Sequence, residues 1–239
     1  DENKTLARFS NGNPFGTKVT DIKLMNEDDI PLLMVGSSDG LIKIYKNLHS
    51  VNDLQLVTAW RGLSDMLLTP RSNGLLSEWQ QSRGSLLVTG DVKIIRVWDA
   101  LSESLEVDIP AKTSSLFTSL TSDQVAGNIF VAGFSDGTIR VYDRRTDPRL
   151  AMVRRWRGGG GKPGAWINNV HMQRGGYREL VSGSTNGVVE LWDIRHDQPV
   201  ATYVDENKKD GKRDSTTMVS VQVQSSRHEA DGKRRIFNH

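Results

Sequence analysis

Six consecutive residues, Gly158-Gly159-Gly160-Gly161-Lys162-Pro163, have the composition of a phosphate-binding loop. Such a loop needs a glycine five positions before its Gly-Lys pair and a Ser or Thr after the lysine to hold magnesium. Trp156 occupies the first of those places and Pro163 the second, so the segment reads as a flexible connection. The histidines (His49, His171, His196, His228 and His239) show no i, i+4 pair and no metal-ligand spacing. The chain has no cysteine, which removes disulfides, thiolate zinc sites, iron–sulfur clusters and thiol nucleophiles. No Gly-x-Ser-x-Gly elbow is present. These residues predict no enzyme, no cofactor and no metal. The remaining chemistry is basic: Arg140, Arg144, Arg145, Arg149, Arg154, Arg155 and Arg157 crowd one stretch around Trp156. Arginine suits bidentate contacts to carboxylate or phosphate. Arg144, Arg145, Arg149, Arg154, Arg155 and Arg157 form a candidate protein-docking patch, which Asp143 and Asp147 partly neutralise. The mixed-charge run from Lys208 to Asp214 reads as a solvated loop.

Those arginines lie inside a repeat. Leu33-Met34-Val35-Gly36-Ser37-Ser38-Asp39-Gly40-Leu41-Ile42-Lys43-Ile44-Tyr45 aligns with Phe130 to Tyr142, with Leu180 to Trp192 and, one residue shorter, with Leu87 to Trp98. The closing aromatics fall at 45, 98, 142 and 192, spacings of 53, 44 and 50 residues. In each copy an apolar run meets a glycine, a turn and a strictly alternating strand. The turn pairs Asp39-Gly40, Asp136-Gly137 and Asn186-Gly187 predict type I′ hairpins with positive φ at both positions. Inner strands are expected at 19–24, 74–79, 115–121 and 166–172, and outer strands at 55–60, 104–109, 151–156 and 200–204. The unit is therefore four antiparallel strands, and the period is that of a β-propeller blade. Because the Ser and Asp positions repeat across blades, they read as structure; catalysis needs a residue once. Trp60, Trp98, Trp156 and Trp192 close strands and are expected to pack blade on blade, while Trp79 and Trp166 sit on inner strands, where they would line a channel.

The expected architecture is all-β, with blades at about 19–60, 74–109, 115–156 and 166–204. Leu6 to Ser10 reads as the outer strand of a preceding blade, and Thr216 to Val223 as the inner strand of a following one. With a first residue that is not Met, this predicts that 1–224 is part of a larger ring and 225–239 a disordered polar tail. A formal net charge of +2 supplies no global field to gather nucleic acid. No apolar run approaches the roughly 18 residues of a spanning helix, so no membrane insertion is expected.

The hairpins resemble the WD-repeat family through Trp98-Asp99 and Trp192-Asp193 and the variants Tyr142-Asp143 and Tyr45-Lys46. No copy has the Gly-His dipeptide of that family, so its hydrogen-bond network is incomplete here. The segments between hairpins are more specific. Val57-Thr58-Ala59-Trp60-Arg61-Gly62-Leu63-Ser64-Asp65-Met66, Ser10-Asn11-Gly12-Asn13-Pro14, Gly90 to Asp99 and Ile139 to Arg145 resemble the Raptor family, with a likeness to its fungal members. That resemblance implies a seven-bladed WD-repeat propeller in the adaptor subunit of TOR complex 1, which recruits substrates to the TOR kinase in nutrient and growth signalling. It implies the TOR kinase and other complex subunits and substrates as partners, and a cytoplasmic location that extends to the vacuole or lysosome surface. It carries no binding residue onto this chain. Two other readings remain open at this stage: a generic WD scaffold of another assembly, and a propeller enzyme with a channel-mouth site. For the latter, the inner strands offer only Asp21, Glu78 and Asp123 as scattered carboxylates.

Overall fold

A computed structural model describes residues 12, 16–27, 29–49, 53–64, 66, 73–173 and 179–204. The strands expected at 6–10 and 216–223 and the tail at 225–239 lie outside the described residues. The chain divides into two compact units, Asp1–Lys112 and Thr113–His239.

The first unit holds two four-stranded antiparallel sheets, each a simple meander. One contains β1 (Val19–Met25), β2 (Leu32–Ser37), β3 (Leu41–Lys46) and β4 (Gln55–Arg61). The other contains β5 (Leu76–Gln80), β6 (Ser85–Thr89), β7 (Ile94–Asp99) and β8 (Ser104–Pro110). The second unit repeats the plan with β9 (Phe117–Ser122), β10 (Ile129–Phe134), β11 (Thr138–Asp143) and β12 (Met152–Arg157), then β13 (Ile167–Met172), β14 (Glu179–Ser184), β15 (Val188–Asp193) and β16 (Ala201–Val204). Among the described residues the only helical segments are single 3-10 turns at Pro148–Leu150 and Gly159–Gly161.

Alternation builds each core. In the first unit Ile42 and Ile44 of β3 and Met34 of β2 meet Leu75, Leu86 and Val88 from the next sheet. In the second, Val131, Ile139, Val141 and Trp156 meet Ile167, Val170, Leu180 and Trp192. Period-2 patterning therefore sends one face of each sheet against its neighbour. Two repeat glycines let the backbones approach: a Cβ on Gly36 would sit 2.5 Å from Leu75 Cδ2, and one on Gly133 would sit 2.7 Å from Ile167 Cγ2.

The hairpin turns differ from the type I′ expectation. Only the glycines are left-handed, at φ 82° (Gly40), 77° (Gly137) and 80° (Gly187); Asp39, Asp136 and Asn186 are not. The Gly40, Gly137 and Gly187 N–H groups donate to Ser37, Phe134 and Ser184 O at 2.9, 3.1 and 3.0 Å. This is a turn of ordinary hand closed by a left-handed glycine. The cause is local: Asp39, Asp136 and Asn186 Oδ1 each accept the N–H two residues on, at 3.3, 2.9 and 3.4 Å.

Candidate interaction surface

The repeat residues act as fasteners. Trp192 is buried; its indole N–H donates to Ser182 Oγ at 2.9 Å and its ring stacks on Trp156 at 5.0 Å and 17°. Trp98 meets Trp60 edge-on at 6.2 Å and donates to Gly62 O at 3.3 Å. Tyr142 stacks on Phe130 at 4.9 Å and 3°, and burial pushes its phenol up to about 12 against the opposing pull of Arg140. Asp99 accepts the Leu101 and Ser102 N–H groups at 2.9 and 3.2 Å. Asp143 and Asp193 do the same for the Arg145 and Arg195 N–H groups, both at 2.9 Å, and each grips that arginine's guanidinium as well. The Arg195 hydrogen bond holds the Asp193 carboxyl at about 2, despite partial desolvation.

The arginine cluster divides sharply once its partners are visible. Arg140 is not a surface group: only 4% exposed, it lies 4.4 Å over the Phe134 ring and pairs with Asp136 at 3.4 Å. Arg145 is a bidentate partner of Asp143, its Nη2 donating to Oδ2 at 2.6 Å and its Nε to Oδ1 at 2.9 Å. Arg154 is ion-paired to Asp197 of the neighbouring sheet. The Arg149 N–H donates to the capping Asp147 Oδ1 at 2.8 Å, and the Arg144 N–H donates to Asn128 O at 2.9 Å. Arg155 reaches only a distant carboxylate, Asp136, at 3.9 Å, and its side chain is 57% exposed. Arg157 is exposed and has no ion pair among the described residues. The structure therefore brings Arg154, Arg155 and Arg157 onto one strand and ties Arg144, Arg145 and Arg149 into turns.

The glycine run is held where a flexible loop was expected. Gly159, Gly160 and Gly161 are all left-handed, at φ 68°, 64° and 70°, which turns successive N–H groups to one side. The anion in that cradle is the protein's own Glu190: Gly159 N–H donates to Oε2 at 2.9 Å and Gly160 N–H to Oε1 at 3.1 Å. Asn186 Nδ2 donates to Gly159 O at 2.9 Å. Burial raises the Glu190 carboxyl above its ordinary value, against the lowering effect of the two glycine N–H bonds. Sequence reasoning passed over Glu190, although its position carries Lys43, Arg96 or Arg140 in the other sheets. A groove of about 500 Å³ runs beside β12, lined by Arg155, Arg157, Trp192, Asp197, Pro199 and Thr202 among others.

Four-stranded meanders joined by Asp-Gly or Asn-Gly turns and closed by Trp-Asp or Tyr-Asp define WD-repeat propeller blades. No protein-family model matches the chain. Individual relatives do. It is 68% identical over 226 residues (93% of the chain) to target of rapamycin complex 1 subunit KOG1 of Saccharomyces cerevisiae. It is 46% identical over 205 residues (86% of the chain) to subunit mip1 of the same complex in Schizosaccharomyces pombe. A crystal structure of Raptor from Chaetomium thermophilum superposes with a TM-score of 0.76 at 53% identity, over 84% of this chain and 18% of that one. The chain belongs to the Raptor family. It spans 14% and 15% of the lengths of the two yeast relatives.

Proposed function

We propose that the chain is a non-catalytic interaction module of a TOR complex 1 adaptor subunit, and that the whole protein recruits substrates to the TOR kinase in nutrient and growth signalling. The observation that carries this reading is the 68% identity to a named subunit of that complex across nearly the whole chain. The physical form agrees with it. The recurring Asp, Trp and glycine residues are consumed in turns and packing, which leaves rigid blades that display edges and loops. Its partners are the TOR kinase, other subunits of the complex and their substrates, reached through exposed arginines of β12. Its location is the cytoplasm, extending to the vacuole or lysosome surface with the parent complex.

Affinity isolation of the tagged full-length protein tests this, with mass spectrometry of what co-purifies and fluorescence imaging of where it sits. Stoichiometric TOR kinase and signal at the vacuole or lysosome membrane are expected. A preparation without the kinase, or a protein confined to another compartment, contradicts the reading.

A further inference from the structure

β12 is the edge of its sheet: among the described residues its one strand neighbour is β11. The register is fixed by Ile139 opposite Trp156 and Arg140 opposite Arg155. The Gly158 N–H donates to Gly137 O at 3.0 Å. Antiparallel alternation then turns the backbone groups of Arg154 and Trp156 toward β11 and those of Arg155 and Arg157 outward, away from the sheet. An edge that shows a row of unpaired N–H and C=O groups is a template for another strand.

The side chains sort the same way. Trp156 stacks on Trp192 and Arg154 pairs with Asp197, so both face the neighbouring sheet of the unit. Val153, Arg155 and Arg157, all exposed, alternate with them along the strand. β12 has three arginines and no acid, and the two whose backbones face outward are those without a close carboxylate. The contrast with β8 is informative: its Glu106 and Asp108 are met by Ser85 at 3.3 Å and Arg96 at 3.2 Å. Charge on that edge is answered within the fold, whereas on β12 Arg154 is answered by Asp197, Arg155 has only the 3.9 Å contact to Asp136 and Arg157 has no ion pair among the described residues.

We propose that β12 is a strand-addition site for an extended acidic peptide segment of a partner protein. The added strand pairs with the outward backbone groups of Arg155 and Arg157. Alternate Asp or Glu side chains meet the two guanidinium groups, and the intervening residues turn toward the groove that Pro199 and Thr202 help to line. This deepens the interaction-module reading and rests on it.

The test uses the full-length protein and a seven-residue peptide of alternating Glu and Val, blocked at both ends. Calorimetry should show binding that weakens at least tenfold in the Arg155→Glu/Arg157→Glu protein. It should also weaken at least tenfold when alternate peptide amides are N-methylated, which keeps every charge but removes the strand's donors. Hydrogen exchange at the Arg155 and Arg157 amides should slow on binding. Equal affinity of the N-methylated peptide, with unchanged exchange, overturns strand addition while leaving a charged docking patch standing. Equal affinity of the charge-reversed protein overturns the patch itself. Arg155→Gln/Arg157→Gln, which cannot fail through repulsion within the fold, should lie between wild type and the reversed protein; wild-type affinity in that variant also overturns the proposal.

Discussion

The seams between paired sheets in the two units solve one problem with different chemistry. In the first unit Asp21 Oδ2 accepts both the N–H and the hydroxyl of Ser77, at 2.5 and 2.7 Å, and two residues on Lys23 pairs with Glu78 at 3.5 Å. In the second, hydroxyls take the equivalent places: Ser119 Oγ accepts the Val170 N–H at 2.9 Å and Thr121 Oγ1 the Met172 N–H at 3.0 Å. The tryptophan pairs diverge in the same direction. Trp156 and Trp192 stack, and both indole N–H groups are bonded, to His196 O at 3.1 Å and Ser182 Oγ at 2.9 Å. Trp60 and Trp98 meet edge-on, and Trp60 Nε1 has no partner among the described residues. A repeated backbone frame requires a close approach and an acceptor at a given place, and is indifferent to whether a charge or a hydroxyl supplies it.

The largest expected effect lies in the aromatic pairs. Trp192→Ala removes a ring 1% exposed, with its stack and its hydrogen bond, and should cost about 3–5 kcal/mol in urea unfolding. Trp98→Ala, from a half-buried site, should cost roughly 0.5–3 kcal/mol. Equal losses would mean that the two aromatic seams are energetically alike despite their geometry.

The hydrogen-bonded seams come next. Asp21→Ala removes a charged acceptor of two bonds and should cost about 1.5–3 kcal/mol. Ser119→Ala leaves the Val170 N–H without its hydroxyl, a loss of about 1–3 kcal/mol that should not change with salt. The Asp21→Ala loss should shrink at high salt, because Asp21 is only part-buried. A salt-independent Asp21 effect would remove the distinction drawn between charge and hydroxyl.

The smallest effects concern two carboxylates of β15 with opposite signs. Asp193 is lowered from 3.8 to about 2 by Arg195, so its stabilisation is fully present above pH 3.8 and is lost as pH falls from 3.8 toward 2. Asp193→Asn should flatten the stability profile in that window. Glu190 is raised from 4.5 by burial, so the folded state favours its proton and stability falls as pH rises from 4.5 through the raised value. Glu190→Gln should remove that decline. Unfolding curves from pH 2 to 7 check both, and slopes of the same sign for the two variants would contradict the assignment.

How far the sequence could be read follows from the range of each interaction. Alternation and Gly-closed turns are local, and the strand bounds agree with expectation to within one or two residues, as at β4 (55–61 against 55–60) and β9 (117–122 against 115–121). The turn type was misread because dipeptide preference says nothing about the Asx bond from Asp136 Oδ1 to the Thr138 N–H. The Glu190 grip on the glycine run joins residues 31 and 30 apart and has no local sign. Within the arginine cluster one pairing has a local sign: Asp143-Arg144-Arg145 and Asp193-Ile194-Arg195 share one Asp-x-Arg spacing, and both close the same ion pair. Nothing local marks Arg140 as buried over Phe134.

The central claim is that docking belongs to the arginines the fold leaves unanswered. Its most direct test is recovery of TOR complex 1 partners by two full-length variants side by side. Arg155→Glu/Arg157→Glu should lose most of the captured partner, while Arg144→Glu/Arg145→Glu, which alters residues tied into the Asp143 turn, should capture nearly as much as wild type. Equal recovery by the two variants, or loss only in the second, would contradict it.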